Sequence, residues 1–211
     1  MGAPKPASTY VKEKQWERDL GIGLQVETST HALSWGRAME GYVYENHLEI
    51  EYELSSQKTT MHPSGLWCGT KDVLKNGVVG DIKCPSSRST FCDLSDVLLS
   101  KNVEIFKKEY PEYYWQLVSN SILENVPNAE LVAWMPYPSE QDAIIEYIGN
   151  IDDFQLQLDI QWVLHTPISR LPFIPEGRKY KNVCRFEFEV PTVDKILLES
   201  KVKTVSKLFV S

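Results

Sequence analysis

Apolar and polar positions along the 211-residue chain follow two periods, and each change of period marks an element. Ala32, Leu33, Trp35, Met39, Tyr42 and Val43 recur at the spacing of one helix face. They predict a helix over 31–47, behind Thr28, Ser29 and Thr30, any of whose hydroxyls can accept from the first free backbone N–H groups. From His47 to Leu54 the period drops to two: Leu48, Ile50, Tyr52 and Leu54 share one face and Glu49, Glu51 and Glu53 the other. That is the pattern of a half-buried strand with a solvated acidic face, and a turn over 55–60 follows it. Two short β-prone runs then flank Lys75-Asn76-Gly77, and Asn-Gly in that setting predicts a hairpin whose two central residues both take positive φ.

The polar run 86–90 reads as a loop. Pro111 opens a helix reaching about Asn125, with Tyr114, Leu117, Val118, Ser121 and Ile122 inward. Glu130 to Pro136 reads as a buried strand. Over 137–181 periodicity is weaker, with a helix over 151–164. Asn182 to Val190 alternates, placing Cys184, Phe186, Phe188 and Val190 inward, and a final helix runs from Thr192 to about Leu208. At the other end, 9–20 is charged and weakly helical, and 1–8 reads as a flexible tail. The expectation is one α/β or α+β domain over 9–211, long enough for a sizeable core.

The hairpin carries the first candidate chemistry. With Asn76 and Gly77 central, Lys75 faces Val78, Leu74 faces Val79, Val73 faces Gly80, and Asp72 falls opposite Asp81. Like charges so placed destabilise a strand pair, and a divalent cation between them accounts for the arrangement. Alternation puts Lys83 on the face of Asp81 and turns Ile82 into the core. Two hard carboxylates and an ammonium are what metal-assisted phosphodiester hydrolysis uses: the acids hold Mg²⁺, and the lysine orients water or neutralises developing charge. An edge hairpin with solvated charges shows the same pattern, and this stretch alone leaves both readings open.

Other residues can join it. Glu40 lies four residues after Gly36 on one helix face, where the missing side chain leaves room beside the carboxylate. Gln116 shares a polar strip with Tyr113, Ser119 and Asn120, placed to hydrogen-bond water or a phosphate oxygen. Arg37, Arg88 and Tyr113 are the candidate DNA contacts, and Arg170, Arg178, Lys179 and Lys181 form a basic cluster that also suits a solvated loop.

A net charge of −7 and a pI near 5.2 argue against nucleic-acid binding over the whole surface but leave room for a local basic groove. Cys68, Cys84, Cys92 and Cys184 show no close pairing, which speaks against a zinc or iron–sulfur site and for free thiols. No apolar run approaches the roughly 18 residues a membrane span needs. A soluble, cytoplasmic protein without a membrane partner is the expectation.

Four stretches, in order, resemble one family. His31-Ala32-Leu33-Ser34-Trp35-Gly36-Arg37-Ala38-Met39-Glu40 is similar to a helix carrying Trp-Gly-x-x-x-Glu. Gly69-Thr70-Lys71-Asp72 resembles Gly-Thr-Pro-Asp, Gly80-Asp81-Ile82-Lys83-Cys84-Pro85 resembles Glu-x-Lys-Cys-Pro, and Tyr113-Tyr114-Trp115-Gln116 resembles a helix whose glutamine follows a tyrosine. The family is that of phage lambda exonuclease and the YqaJ-like viral recombinases, within the PD-(D/E)XK nucleases. The resemblance implies a central mixed β-sheet flanked by helices, a restriction-endonuclease-like core. Glu40, Asp72, Asp81 and the Ile82 carbonyl would hold one or two Mg²⁺, for which Mn²⁺ can substitute, and Lys83 and Gln116 would position the attacking water.

It also implies an exonuclease that acts on double-stranded DNA ends, 5′ to 3′, and leaves a 3′ overhang for a single-strand annealing protein. The assembly would be a homotrimeric ring. A PD-(D/E)XK endonuclease and a catalytically silent DNA-binding subunit are the rival readings. Lys71 stands where the family has proline and Asp81 where it has glutamate, an exchange the superfamily accepts. No arginine over 9–30 aligns with the one that grips a 5′-phosphate.

Overall fold

A computed structural model of the chain describes residues 7–21, 30–48, 53–54 and 58–207. Helix α1 (Ala7–Leu20) occupies the charged segment. Thr30 caps the next helix: its hydroxyl accepts from the Leu33 N–H at 3.2 Å, and α2 runs over His31–Val43. The chain leaves α2 through a π turn, Tyr44–Leu48, a wide turn rare in soluble proteins. His47 and Leu48 therefore belong to the helix end and not to a strand. Of the strand expected over 47–54 the structure shows β1 (Glu53–Leu54). Residues 49–52, 55–57 of the expected turn, the cap candidates Thr28 and Ser29, positions 1–6 of the expected tail and Leu208 lie outside the described residues.

Strands β2 (Thr59–Met61) and β3 (Cys68–Thr70) form a small antiparallel ribbon. The main sheet adds β4 (Val73–Lys75), β5 (Val78–Lys83), β6 (Asn128–Trp134) and β7 (Val183–Glu189) in the order β1-β4-β5-β6-β7. It is mixed: β5 and β6 run parallel and the other neighbours antiparallel. The β4–β5 register is the expected one, Val73 with Gly80, Leu74 with Val79 and Lys75 with Val78. The turn differs from expectation in one respect, because only Gly77 takes positive φ, at 79°. Glycine at the second central position absorbs the reversal without Cβ strain, so Asn76 need not leave the ordinary region.

Pro85 ends β5 and the chain turns at once into α3 (Arg88–Leu99), which corrects the loop expected over 86–90. Ser87 is its N-cap, accepting from the Thr90 N–H at 3.2 Å. Phe91, Leu94 and Leu98 carry the helical spacing, and the polar run before them hides the start. α4 (Val103–Glu109) and α5 (Pro111–Leu123) follow. Beyond β6 come α6 (Gln141–Gly149) and α7 (Phe154–Ile160), the latter continued by a 3₁₀ turn, Gln161–His165. α8 (Thr192–Ser206) closes the described chain.

The helices cover both faces of the sheet. On one side Trp35, Met39 and Val43 of α2, with Ile144, Ile148 and Ile160, pack against Val73, Ile82, Val132 and Trp134. On the other, Phe91, Leu98, Phe106, Leu117 and Val118 pack against Val79, Leu131, Ala133, Phe186 and Phe188. α8 is anchored by buried Asp194, which accepts from the Tyr114 hydroxyl at 2.6 Å and from Lys107 Nζ at 2.7 Å. No helix among the described residues is long and apolar enough to cross a membrane.

Candidate active site

The edge between the start of β4 and the end of β5 gathers the acidic residues. β4 begins only at Val73, so Asp72 lies just outside the ladder, and continuing the register by one pair sets it against Asp81. Its carboxylate takes the place of the missing strand: Asp72 Oδ2 accepts from the Ile82 N–H at 2.7 Å. The N–H and C=O of one strand residue point to the same edge, so the Ile82 carbonyl faces this edge too, beyond the last paired residue of β4. The Ile82 side chain is buried in the α2 layer, as alternation predicts.

Asp81 is wholly buried. Gln116 Nε2 of α5 donates to its Oδ1 at 2.8 Å. Lys83 Nζ pairs with its Oδ2 at 2.6 Å. Burial and the Asp72 charge raise the Asp81 carboxyl above its ordinary range against the pull of Lys83. Glu40 reaches the group from α2, on the opposite face of the sheet. Its carboxyl is pushed up to about 8, first by burial and then by the charges of Asp72 and Asp81, with Lys83 and Arg37 opposing. Burial alone would lower the Lys83 ammonium, but Asp81, Asp72 and Glu40 outweigh it and hold the value above normal. Lys83 is thus a fixed positive charge.

The site opens into a cleft of about 360 Å³ lined by Leu33, Gly36, Arg37, Glu40, Lys83, Cys84, Ser86, Thr90 and Tyr113, among others. A Cβ added at Gly36 would meet no atom within 4 Å, so the room expected beside Glu40 is present. Arg37 is exposed at the rim, and its contact with the Asp153 carboxylate is long, 3.8 Å. Tyr113 lies 5.3 Å under Lys83 Nζ and stacks on Tyr110 with centroids 5.7 Å apart.

Arg88 departs from its expected role. Its guanidinium donates to the carbonyls of Phe173 at 2.6 Å, Leu171 at 2.9 Å and Ser169 at 3.3 Å, so it pins the segment after α7 and does not line the cleft. Of the basic cluster, Lys179 is taken up by Asp96 at 2.7 Å. Ser86 and Thr90 were not foreseen as lining residues; their signal is the Ser87 cap, which turns the polar run into a helix start beside Lys83.

Among the described residues no three acidic, histidine or thiol groups stand close enough together to cage an ion by themselves. The donors nevertheless suit a hard cation. Asp81 is wholly buried with a single ammonium beside its Oδ2, and its charge and that of Asp72 raise the proton affinity of Glu40 in a dry setting. A divalent cation relieves both conditions. Mg²⁺ in particular binds through one or two carboxylates and keeps several waters, so a complete protein cage is not required.

No protein-family model and no curated protein sequence matches the chain. Solved structures do. The phage-related exonuclease from Haemophilus somnus 129PT superposes with a TM-score of 0.58 at 11% identity, over 99% of this chain and 88% of that one. LHK-Exo in complex with dAMP superposes with a TM-score of 0.54 at 16% identity, over 95% of this chain and 78% of that one. The alkaline exonuclease LHK-Exo from Laribacter hongkongensis gives 0.52 at 15% identity, over 100% and 80%. With its mixed sheet, two helical layers and acidic strand edge, the chain has the fold of the phage-related and alkaline exonucleases.

Proposed function

We propose that this protein is a metal-dependent deoxyribonuclease that degrades one strand of linear double-stranded DNA from its 5′ end. The observation that carries the reading is the meeting of Glu40 from α2, Asp72 from the approach to β4, Asp81 and Lys83 from β5, and Gln116 from α5 at one strand edge. The exonuclease fold over nearly the whole chain supports it. Glu40, Asp72, Asp81 and the Ile82 carbonyl are the groups to hold Mg²⁺, with Mn²⁺ as a substitute. Such an ion supplies a Lewis acid for the phosphoryl oxygen and acidifies water.

The remaining steps belong to the chain. Lys83, held charged, neutralises the negative charge that grows on the phosphoryl group and orients the nucleophile. Gln116 fixes Asp81 in one rotamer and offers its carbonyl oxygen to the attacking water. Arg37 at the rim contacts backbone phosphate, and Tyr113 lines the cleft beside Lys83. Product 3′ overhangs would pass to a single-strand annealing protein, and a trimeric ring would let an acidic chain hold DNA with positive charge gathered along its channel.

Linear and covalently closed circular duplexes, incubated with the protein in Mg²⁺, test this. The linear DNA is degraded and the circle survives. Efficient cutting of the circle would replace the reading with an endonuclease on the same site.

A further inference from the structure

Asp72 stands outside the β4–β5 ladder, and its neighbours on the N-terminal side are bound to α5 by side chains the chemistry above does not use. Asn120 Nδ2 donates to the Thr70 carbonyl at 3.2 Å. Lys71 Nζ lies 2.8 Å from Glu124 Oε1, with the lysine side chain 10% exposed, and Thr60 of the paired strand β2 donates to the same oxygen at 2.6 Å. β3 approaches the helix so closely that a Cβ at Gly69 would sit 2.8 Å from both Asn120 Oδ1 and Leu123 Cδ1. A larger residue there would have to displace the Asn120 and Leu123 side chains.

Gln116, Asn120 and Glu124 follow one another at four-residue steps, so they form a single stripe along α5. The first holds Asp81, the second the backbone two residues before Asp72, and the third the residue next to it. One rigid helix therefore sets both aspartates relative to each other. A buried lysine is costly unless paired. Its presence next to Asp72 needs a reason that solvation does not supply.

We propose that Lys71, Asn120 and Glu124 are positioning residues that hold Asp72 at the distance from Asp81 needed to share a divalent cation. The inference rests on the metal-site reading above. The ion pair tethers the backbone ahead of the aspartate to α5.

The test is calorimetric titration of the full chain with Mn²⁺, alongside thermal melts without metal. Lys71→Met weakens Mn²⁺ binding about tenfold or more, the scale at which supporting residues act on metal sites, and lowers Tm because Glu124 loses its cation. Lys71→Met/Glu124→Leu recovers most of the Tm by removing both charges but not the Mn²⁺ affinity, and Lys71→Arg retains both. Asn120→Ala, which leaves no unpaired charge, serves if Lys71→Met fails to fold, and it too binds Mn²⁺ several-fold more weakly. A folded Lys71→Met/Glu124→Leu or Asn120→Ala protein with wild-type Mn²⁺ affinity overturns the inference while the metal site stands. A wild-type protein that binds no Mn²⁺ removes both. One that binds Mn²⁺ but leaves linear DNA intact removes the nuclease reading alone.

Discussion

At the proposed metal site, Glu40 is the residue whose protonation would gate cation binding. Its carboxyl ionises near 8, against 4.5 in an ordinary setting. The folded value is the higher one, so between these limits the metal-free fold holds a proton the unfolded chain has released. Stability then falls as pH rises through that window. Without metal, the Tm declines from about pH 5 to pH 8, and Glu40→Gln flattens the decline. A cation bound at the proposed site would expel the same proton, so Mg²⁺ affinity should grow about tenfold per pH unit and level off near pH 8. Calorimetry in buffers of different ionisation enthalpy counts the protons released, and none released near pH 7 would exclude Glu40 as a ligand. The Asp81 carboxyl, raised by burial and by Asp72, acts in the same direction.

Among the elements, α2 does two tasks with two faces. Trp35, Met39 and Val43 bury against the sheet, while Gly36 and Glu40 look into the cleft. Glycine inside a helix costs about 1 kcal/mol relative to alanine, and Gly36 has open space around it. Gly36→Ala should therefore raise stability by about 0.5–1 kcal/mol in a denaturant melt. Gly36→Phe should fold but fill the cleft, abolishing DNA cleavage. Cleavage at the wild-type rate in that variant would show that substrate enters elsewhere. α5 was legible as an element, from Pro111 and its apolar stripe, and so was its polar strip through Gln116. Which carboxylate Gln116 meets was not, because that depends on how α5 lies across β5, some 35 residues distant in the chain. α3 was misread because Ser86 to Thr90 looks like a polar loop, and only the Ser87 cap shows it as a helix start.

For the molecule as a whole, the formal charge of −7 sets the problem of how it would hold DNA. Much of its positive charge is used internally: Lys71 with Glu124, Lys107 with Asp194, and Arg185 with buried Glu130 at 3.0 Å. DNA would then be held by few cations near the cleft, which a closed ring offsets by preventing release. Sedimentation equilibrium should give a three-chain mass, and the active species should degrade one linear duplex through many nucleotides before an unlabelled competitor captures it. A monomer with the same persistence on DNA would remove the ring.

By itself the sequence determined what depends on neighbours along the chain: the β4–β5 register from Asn76-Gly77, the alternation that separates Asp81 and Lys83 from Ile82, and the helix face joining Gly36 to Glu40. Strand pairing across a short turn and side-chain periodicity are local geometry, so residue order is enough to specify them. The tertiary structure decided what depends on packing between distant segments. Glu40 meets Asp72 because α2 lies against the sheet face opposite α5. Arg88 is drawn into three carbonyls by the segment after α7, and Lys71 is buried against Glu124 because Gly69 lets β3 lie flat on α5. Periodicity gives the direction a side chain points but not the partner waiting there, and that partner is set by how the layers stack.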